Sequence, residues 1–206
     1  MNVRDFLRLY VIPDLKIGAP RTLLEQTEAA LKGGATLIQL RDKQSNGREL
    51  FEIAVAMKKI CHKYGAPLII NDRLDIALAA EADGVHLGQN DLPLESVRSF
   101  LPEDFIVGVS AHTVKEAQEA LHNGASYIGI GAAFPTGSKG DADVVGVSRI
   151  GEIIKAVSIP AVGIGGITEK NVKDVMAAGV DGVAVISAIV SSEDIEEAAR
   201  HFLSIM

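Results

Sequence analysis

Tryptophan is absent from this chain, cysteine occurs once in 206 residues, and aromatic residues make up only 4%. With so few rings, the core falls to Ala, Val, Ile and Leu, within a hydrophobic fraction of 48%. Such a diet suits parallel α/β sheets, whose strands are buried on both faces. A lone thiol excludes a disulfide framework or a cysteine zinc cluster within one chain. Cys61 lies mid-helix between Ile60 and His62 and reads as a small packing residue, not a nucleophile. No run approaches the ~18–20 apolar residues of a membrane span. None stands behind Met1-Asn2-Val3 either, so a soluble, cytoplasmic protein is expected. Basic residues are also few, 20 against 27 acidic, for a formal charge of −7. That balance argues against a nucleic-acid face. An acidic chain that binds anions must gather its cations locally.

A G-x-G-x-x-G after the first apolar run is missing too; Leu9–Asp14 continues into Leu15-Lys16-Ile17. This counts against an open doubly wound sheet, the second-best architecture. What is present is an alternation of short apolar runs and longer amphipathic segments. Strands are expected near Leu9–Pro13, Thr36–Leu40, Leu68–Asn71, Gly84–Leu87, Ile106–Val109, Tyr127–Ile130, Ala161–Ile164 and Gly182–Ile186. Helices are expected over Arg21–Lys32, Gly47–Tyr64, Leu74–Ala80, Leu94–Phe100, Val114–Asn123, Ser148–Ala156, Glu169–Ala178 and Ser192–Ile205. Eight strand–helix pairs with short connections predict an α/β fold, a (β/α)8 TIM barrel. No Pro/Ser-rich linker divides the chain, so residues 1–206 read as a single domain. A weak repeat supports this: Gly33-Gly34-Ala35, Ala82-Asp83-Gly84, Gly124-Ala125-Ser126 and Ala178-Gly179-Val180-Asp181-Gly182 each precede a strand. Each reads as a helix end closed by Gly.

In such a barrel the chemistry sits at the carboxyl ends of the strands. Polar residues gather there from the second strand to the eighth, while the opposite ends read mostly as Gly, Ala and Pro. Gln39, Arg41 and Lys43 share one face if the second strand runs on, because strand side chains alternate. Cations at the end of a buried strand need an anionic partner. Asp72 and Asp91 follow the third and fourth strands. Singly, each suits a helix start or turn; together, near Arg41 and Lys43, they read as an Mg²⁺ site shared with substrate phosphates. Gly165-Gly166 and Ile186-Ser187 end the seventh and eighth strands, where barrels often bind a phosphate. Thr136, Ser138 and Lys139 sit among glycines after the sixth strand, in a loop suited to gripping an anion or lying idle on the surface. His86 reads as a hydrogen-bonded barrel residue. His112 reads as an acid/base candidate or a helix-start residue. Two anion sites in one pocket, one for a metal-bound diphosphate and one for a monophosphate, point to a substitution that releases pyrophosphate.

The motifs Gln39-Leu40-Arg41-Asp42-Lys43, Ile70-Asn71-Asp72-Arg73 and Asp83-Gly84-Val85-His86-Leu87-Gly88-Gln89 resemble the thiamine-phosphate synthase family. So do Gly108-Val109-Ser110-Ala111-His112-Thr113, Phe134-Pro135-Thr136-Gly137-Ser138-Lys139 and Gly163-Ile164-Gly165-Gly166-Ile167. The resemblance spans nearly the whole chain. Gly137 and Ser138 stand where the family often has a bulkier residue and Thr; Ser138 keeps the hydroxyl. The resemblance implies coupling of hydroxymethylpyrimidine diphosphate to a thiazole phosphate, with Mg²⁺ as cofactor and only small molecules as partners. It implies that Gln39, Leu40, Arg41, Asp42, Lys43 and Asn71 line the pyrimidine diphosphate site. Asp72 and Asp91 would hold Mg²⁺. Ser110 and Lys139 would contact the pyrimidine diphosphate, with Arg41 and Lys43 adding charge for catalysis. Thr136, Gly137, Ser138, Gly166, Ile186 and Ser187 would bind the thiazole phosphate. The implied route is dissociative: diphosphate leaves, and the thiazole nitrogen attacks a cationic methylene. It needs no protein nucleophile, and none stands out. The rival readings are a thiazole tautomerase on the same barrel, with His112 as acid/base, and a non-catalytic phosphate sensor. A homo-oligomer is compatible with the sequence, which does not set the oligomeric state.

Overall fold

The computed structural model describes residues 3–137 and 144–206. Eight parallel strands form a closed barrel in chain order. They are β1 (Leu9–Val11), β2 (Leu37–Leu40), β3 (Leu68–Asn71), β4 (Gly84–Leu87), β5 (Ile106–Ala111), β6 (Tyr127–Ile130), β7 (Ala161–Ile164) and β8 (Gly182–Val185). Closure comes from β8 pairing with β1, Leu9 opposite Val183 and Val11 opposite Val185. The surrounding helices are α1 (Leu23–Lys32), α2 (Gly47–Lys63), α3 (Leu74–Ala79), α4 (Leu94–Val97), α5 (Val114–His122), α6 (Val147–Lys155), α7 (Val172–Ala177), α8 (Ser187–Val190) and α9 (Ile195–Ile205). The expected barrel is therefore the observed one.

The boundaries that differ have local causes. β1 stops at Val11; Ile12 still donates to the Val185 carbonyl at 3.0 Å, but Pro13 has no N–H to continue the ladder. α1 begins at Leu23 because Thr22 caps it in a reciprocal box with Glu25. α9 begins at Ile195, not Ser192, because the Asp194 carboxylate accepts from Glu197 N–H as the cap. The short α8 is absent from the sequence reading. Arg21 ties down its far end, donating to the Val190 carbonyl at 3.4 Å and to that of Glu193 at 2.8 Å. No helix among the described residues is long and apolar enough to cross a membrane.

The weak sequence repeat has a structural reason, and it corrects the expectation that the amino ends of the strands are chemically plain. Thr36, Asp83, Ser126 and Asp181 stand immediately before β2, β4, β6 and β8. Each side chain accepts a hydrogen bond from the N–H of the preceding odd strand. Thr36 Oγ1 takes Leu9 N–H at 2.9 Å, and Asp83 Oδ2 takes Leu68 N–H at 2.7 Å. Ser126 Oγ takes Val107 N–H at 3.0 Å, and Asp181 Oδ2 takes Ala161 N–H at 2.8 Å. In each case the backbone reciprocates: the N–H of Thr36, Asp83, Ser126 and Asp181 donates to the carbonyl of the same partner, at 2.7–3.0 Å. Asp83 and Asp181 also pair with Lys58 and Arg4. The glycine after each aspartate is required by close approach. A Cβ on Gly84 would strike the Ile106 carbonyl, and one on Gly182 would strike the Leu7 carbonyl. Asp latches the strand before, and Gly admits the strand after.

Leu9, Leu68 and Val107 are fully buried, so an unlatched N–H there has no water to turn to. Thr36→Val and Ser126→Ala are each expected to destabilise the barrel by about 1–3 kcal/mol. Activity per folded molecule should be unchanged, because these positions lie at the end of the barrel away from the mouth. Urea titration with a parallel assay checks both; a change within about 0.5 kcal/mol, as for a neutral surface substitution, would refute the latch.

Candidate active site

The mouth of the barrel is built from the residues at and just past the carboxyl end of each strand. β2 ends at Leu40, so strict alternation does not reach Lys43. Gln39 points into the barrel, almost wholly buried, and its amide nitrogen donates to the Tyr10 hydroxyl at 2.5 Å. The Leu40 side chain belongs to the core. Arg41 is half-buried at the rim and has no side-chain hydrogen bond or ion pair among the described residues. Asp42 turns its carboxylate back on its own loop. It accepts from Gln44 N–H at 2.8 Å and from the Ser45 hydroxyl at 2.6 Å. Burial works against its charge, but these bonds outweigh it and hold the carboxyl below its usual range.

Lys43 leaves the stripe and reaches Asp72 at 3.4 Å. Asp72 does not cap α3: the cap position is Arg73, and no side-chain cap bond is made. Instead Asp72 sits at φ 61, in the left-handed region that Asp tolerates better than most residues. Its N–H is held by the His86 carbonyl at 2.9 Å. Burial raises its carboxyl above the usual range, and Asp91 adds to this by sharing a hydrogen bond and by like-charge repulsion; Lys43 offsets part of it. Asp91 does not cap α4 either, since Pro93 holds that position without a side-chain bond. It closes the turn after β4, accepting from Gly88 N–H at 2.7 Å. Two carboxylates and a lysine from three strand ends therefore meet, with Asn71 at the end of β3 in register with His86.

A pocket opens over β5 to β8. Ser110, His112, Thr136, Gly165, Gly166, Ile186 and Ser187 help to line it. Gly165 and Gly166 have φ of 95° and 64°. A Cβ on Gly166 would meet the carbonyls of Phe134 and Pro135 at 2.6–2.7 Å, so the turn demands glycine twice over. Ser187 opens α8, whose first backbone N–H groups lack intrahelical acceptors, as at any helix start. Gly137 is described; Ser138 and Lys139 lie outside the described residues. His112 is held by Glu116, which accepts from both its backbone N–H, at 2.6 Å, and its Nδ1, at 3.2 Å. That bond favours the helix-start reading of His112, whose neighbour Thr113 is the α5 cap.

The sequence reading passed over two residues below the mouth. Tyr10 and Tyr127 are fully buried inside the barrel, with hydroxyls 3.0 Å apart. Gly108 makes room for Tyr127 and His86: a Cβ there would strike the Tyr127 ring and His86 Nδ1. Tyr127 in turn bonds His86 Nδ1 at 3.0 Å, and His86 Nε2 bonds Ser110 Oγ at 3.0 Å. The available signal was scarcity. The chain has three tyrosines, and two of them lie within apolar strands.

The family profile for thiamine monophosphate synthase (TMP-TENI) matches residues 9–189. The chain belongs to that family. It is 49% identical over 199 residues to a thiamine-phosphate synthase of Clostridium acetobutylicum, covering 97% of this chain and 94% of that protein. It is 50% identical over 199 residues to one from Methanocella arvoryzae, covering 96% and 94%. Among solved structures, a thiamine phosphate pyrophosphorylase from Pyrococcus furiosus superposes with a TM-score of 0.91 at 42% identity, covering 99% of this chain and 97% of that one. A 3-hexulose-6-phosphate synthase, at 19% identity and TM-score 0.74, shares the fold alone.

Within this family member the one thiol has no part at the mouth. Cys61 lies on α2 and is fully buried. Burial first, and the nearby Asp83 second, push it up to about 12. A thiol reagent at pH 8 should leave the native protein unmodified and titrate one thiol after unfolding. Rapid native labelling would contradict this burial.

Proposed function

We infer that this chain is a transferase that joins a hydroxymethylpyrimidine diphosphate to a thiazole phosphate, giving thiamine phosphate and pyrophosphate. The observation that carries the reading is the meeting of Asp72, Asp91 and Lys43 at the mouth, beside a pocket closed by the Gly165-Gly166 turn. A tautomerase acting on a thiazole phosphate alone has no use for that carboxylate pair.

The residues fit Mg²⁺. Asp91 stands close enough to Asp72 to raise the Asp72 carboxyl, after burial, by a shared hydrogen bond and like-charge repulsion. A divalent cation removes that conflict. The described residues hold no cluster of three or more metal-binding side chains, and Mg²⁺ asks for none, taking one or two carboxylates with substrate phosphates completing its shell. Bound there, it would neutralise charge on the departing diphosphate. The chain's own groups do the rest. Lys43 and Arg41 bring fixed positive charge to the rim, with Lys139 assigned to the same anion by the family motif. Ser110 offers its hydroxyl to the diphosphate. Thr136, Gly166 and Ser187 bind the second phosphate through hydroxyls and backbone N–H groups. Gln39 and Asn71 flank the pyrimidine. The Asp42 carboxylate, turned inward on Gln44 and Ser45, shapes the loop that carries Arg41 and Lys43.

Incubating both substrates with and without Mg²⁺, while following pyrophosphate and thiamine phosphate, tests the reading. Product should form only with both substrates and the metal. Asp72→Asn should lower turnover by about 100-fold or more, the scale of losing a preorganised electrostatic group, with the melting temperature nearly retained because Asn tolerates the same left-handed backbone. Wild-type turnover in this variant would refute the assignment, and absence of product from the native chain would return the tautomerase and sensor readings.

A further inference from the structure

A polar chain crosses the barrel interior, and most of its members touch neither substrate nor metal in the proposed reaction. Gln39, Tyr10, Tyr127, His86 and Ser110 come from β2, β1, β6, β4 and β5. Their polar atoms are joined in that order by hydrogen bonds of 2.5, 3.0, 3.0 and 3.0 Å. Buried polar groups are costly unless satisfied, so a connected series of five calls for a reason.

Its direction comes from counting protons. The amide nitrogen of Gln39 can only donate, so Tyr10 accepts there. Tyr10 has one proton of its own and is 1% exposed, and Tyr127 is its other partner among the described residues. Tyr10 therefore donates to Tyr127, and Tyr127 donates to His86 Nδ1. Both phenols hold their protons, since burial first and foremost raises each above the usual tyrosine range. A ring nitrogen that accepts carries no proton, so the neutral imidazole carries its proton on Nε2 and gives it to Ser110 Oγ. With its oxygen occupied as acceptor, Ser110 has its O–H left for the pocket it lines.

We propose that Tyr10, Tyr127 and His86, anchored by the Gln39 amide, are positioning residues that fix Ser110 as a hydrogen-bond donor aimed at the diphosphate. This rests on the proposed function, in which Ser110 meets that diphosphate. An anion needs donors; the opposite sense of the chain would turn a lone pair of Ser110 towards it. A donor already oriented costs no reorganisation when charge develops on the leaving group.

The sense of the chain is open to direct measurement in the wild-type protein. Long-range proton–nitrogen correlation spectra of ¹⁵N-histidine protein, with the His86 signal assigned by its loss in His86→Gln, should show Nε2 protonated and Nδ1 bare. A proton on Nδ1 overturns the proposal. Kinetics then test the link to Ser110. Tyr127→Phe should lower kcat by about 10–100-fold, less than the loss of a preorganised donor outright, with KM for the thiazole phosphate unchanged. In a Ser110→Ala background the same substitution should have little further effect, because its route is gone. Full additivity would mean that Tyr127 merely supports the barrel, and would overturn the proposal. If the native chain makes no thiamine phosphate at all, the diphosphate target falls with the proposed function, whereas an Nδ1 proton in an active enzyme overturns the relay alone.

Discussion

A parallel strand buried on both faces must find partners for the N–H groups at its start, and in this barrel that constraint is met four times by one device. The residue before each even strand accepts from the odd strand behind it and donates back. Register is set by this. A side chain that must reach one particular N–H cannot slip by a residue without also turning every barrel-facing group outward. Tyr10 links Gln39 to Tyr127, and Tyr127 reaches His86, across the interior between strands β2, β4 and β6 that are each pinned one position before they begin.

The two ends of the barrel then carry different burdens. At the amino end, charges are matched: Asp83 with Lys58 and Leu68 N–H, Asp181 with Arg4 and Ala161 N–H. At the mouth, charge is left in conflict. Asp72 adopts a left-handed backbone and faces a second carboxylate, while Arg41 finds no anion among the described residues. Such strain persists where the surrounding structure fixes it, and it gathers where ligands bind. With a net charge of −7, a chain that is to attract an anion must group its cations locally.

Most of the strand–helix order was legible, because each apolar run from Leu37 to Val185 is short, β-branched and closed by Gly or a polar cap. Ends were less so. Thr22 and Asp194 move helix starts inward by capping, a distinction of one hydrogen bond that periodicity does not carry. The motif residues around the mouth were named, yet their directions were not. Strand alternation suggested that Gln39, Arg41 and Lys43 act as one wall. The end of β2 at Leu40 instead sends Gln39 into the interior and Lys43 onto a loop towards Asp72. Tyr10 and Tyr127 were missed for a different reason. Within an apolar run a tyrosine reads as bulk, and only the three-dimensional meeting of strands distant in sequence shows that its hydroxyl has work.

Neither the thiol nor the interior imidazole is offered at the mouth as a nucleophile, which is consistent with that work. Cys61 is buried behind the sheet with its thiol held neutral, and His86, the interior imidazole, is bonded on both ring nitrogens. A mechanism in which the diphosphate departs by itself asks for donors and cations in fixed places and for no covalent partner. The barrel supplies that fixity through its strands. Each group at the mouth stands at most a few residues from a latched or laddered backbone: Ser110 within β5, Asp72 one residue beyond β3, Ser187 two residues beyond β8. A flexible scaffold with the same residues would have to organise them at the moment of reaction. Here the strands that bring Tyr10, Tyr127 and His86 together inside the barrel also carry Ser110 at its mouth, so the donor inherits its place from the folded scaffold and is not organised at the moment of reaction.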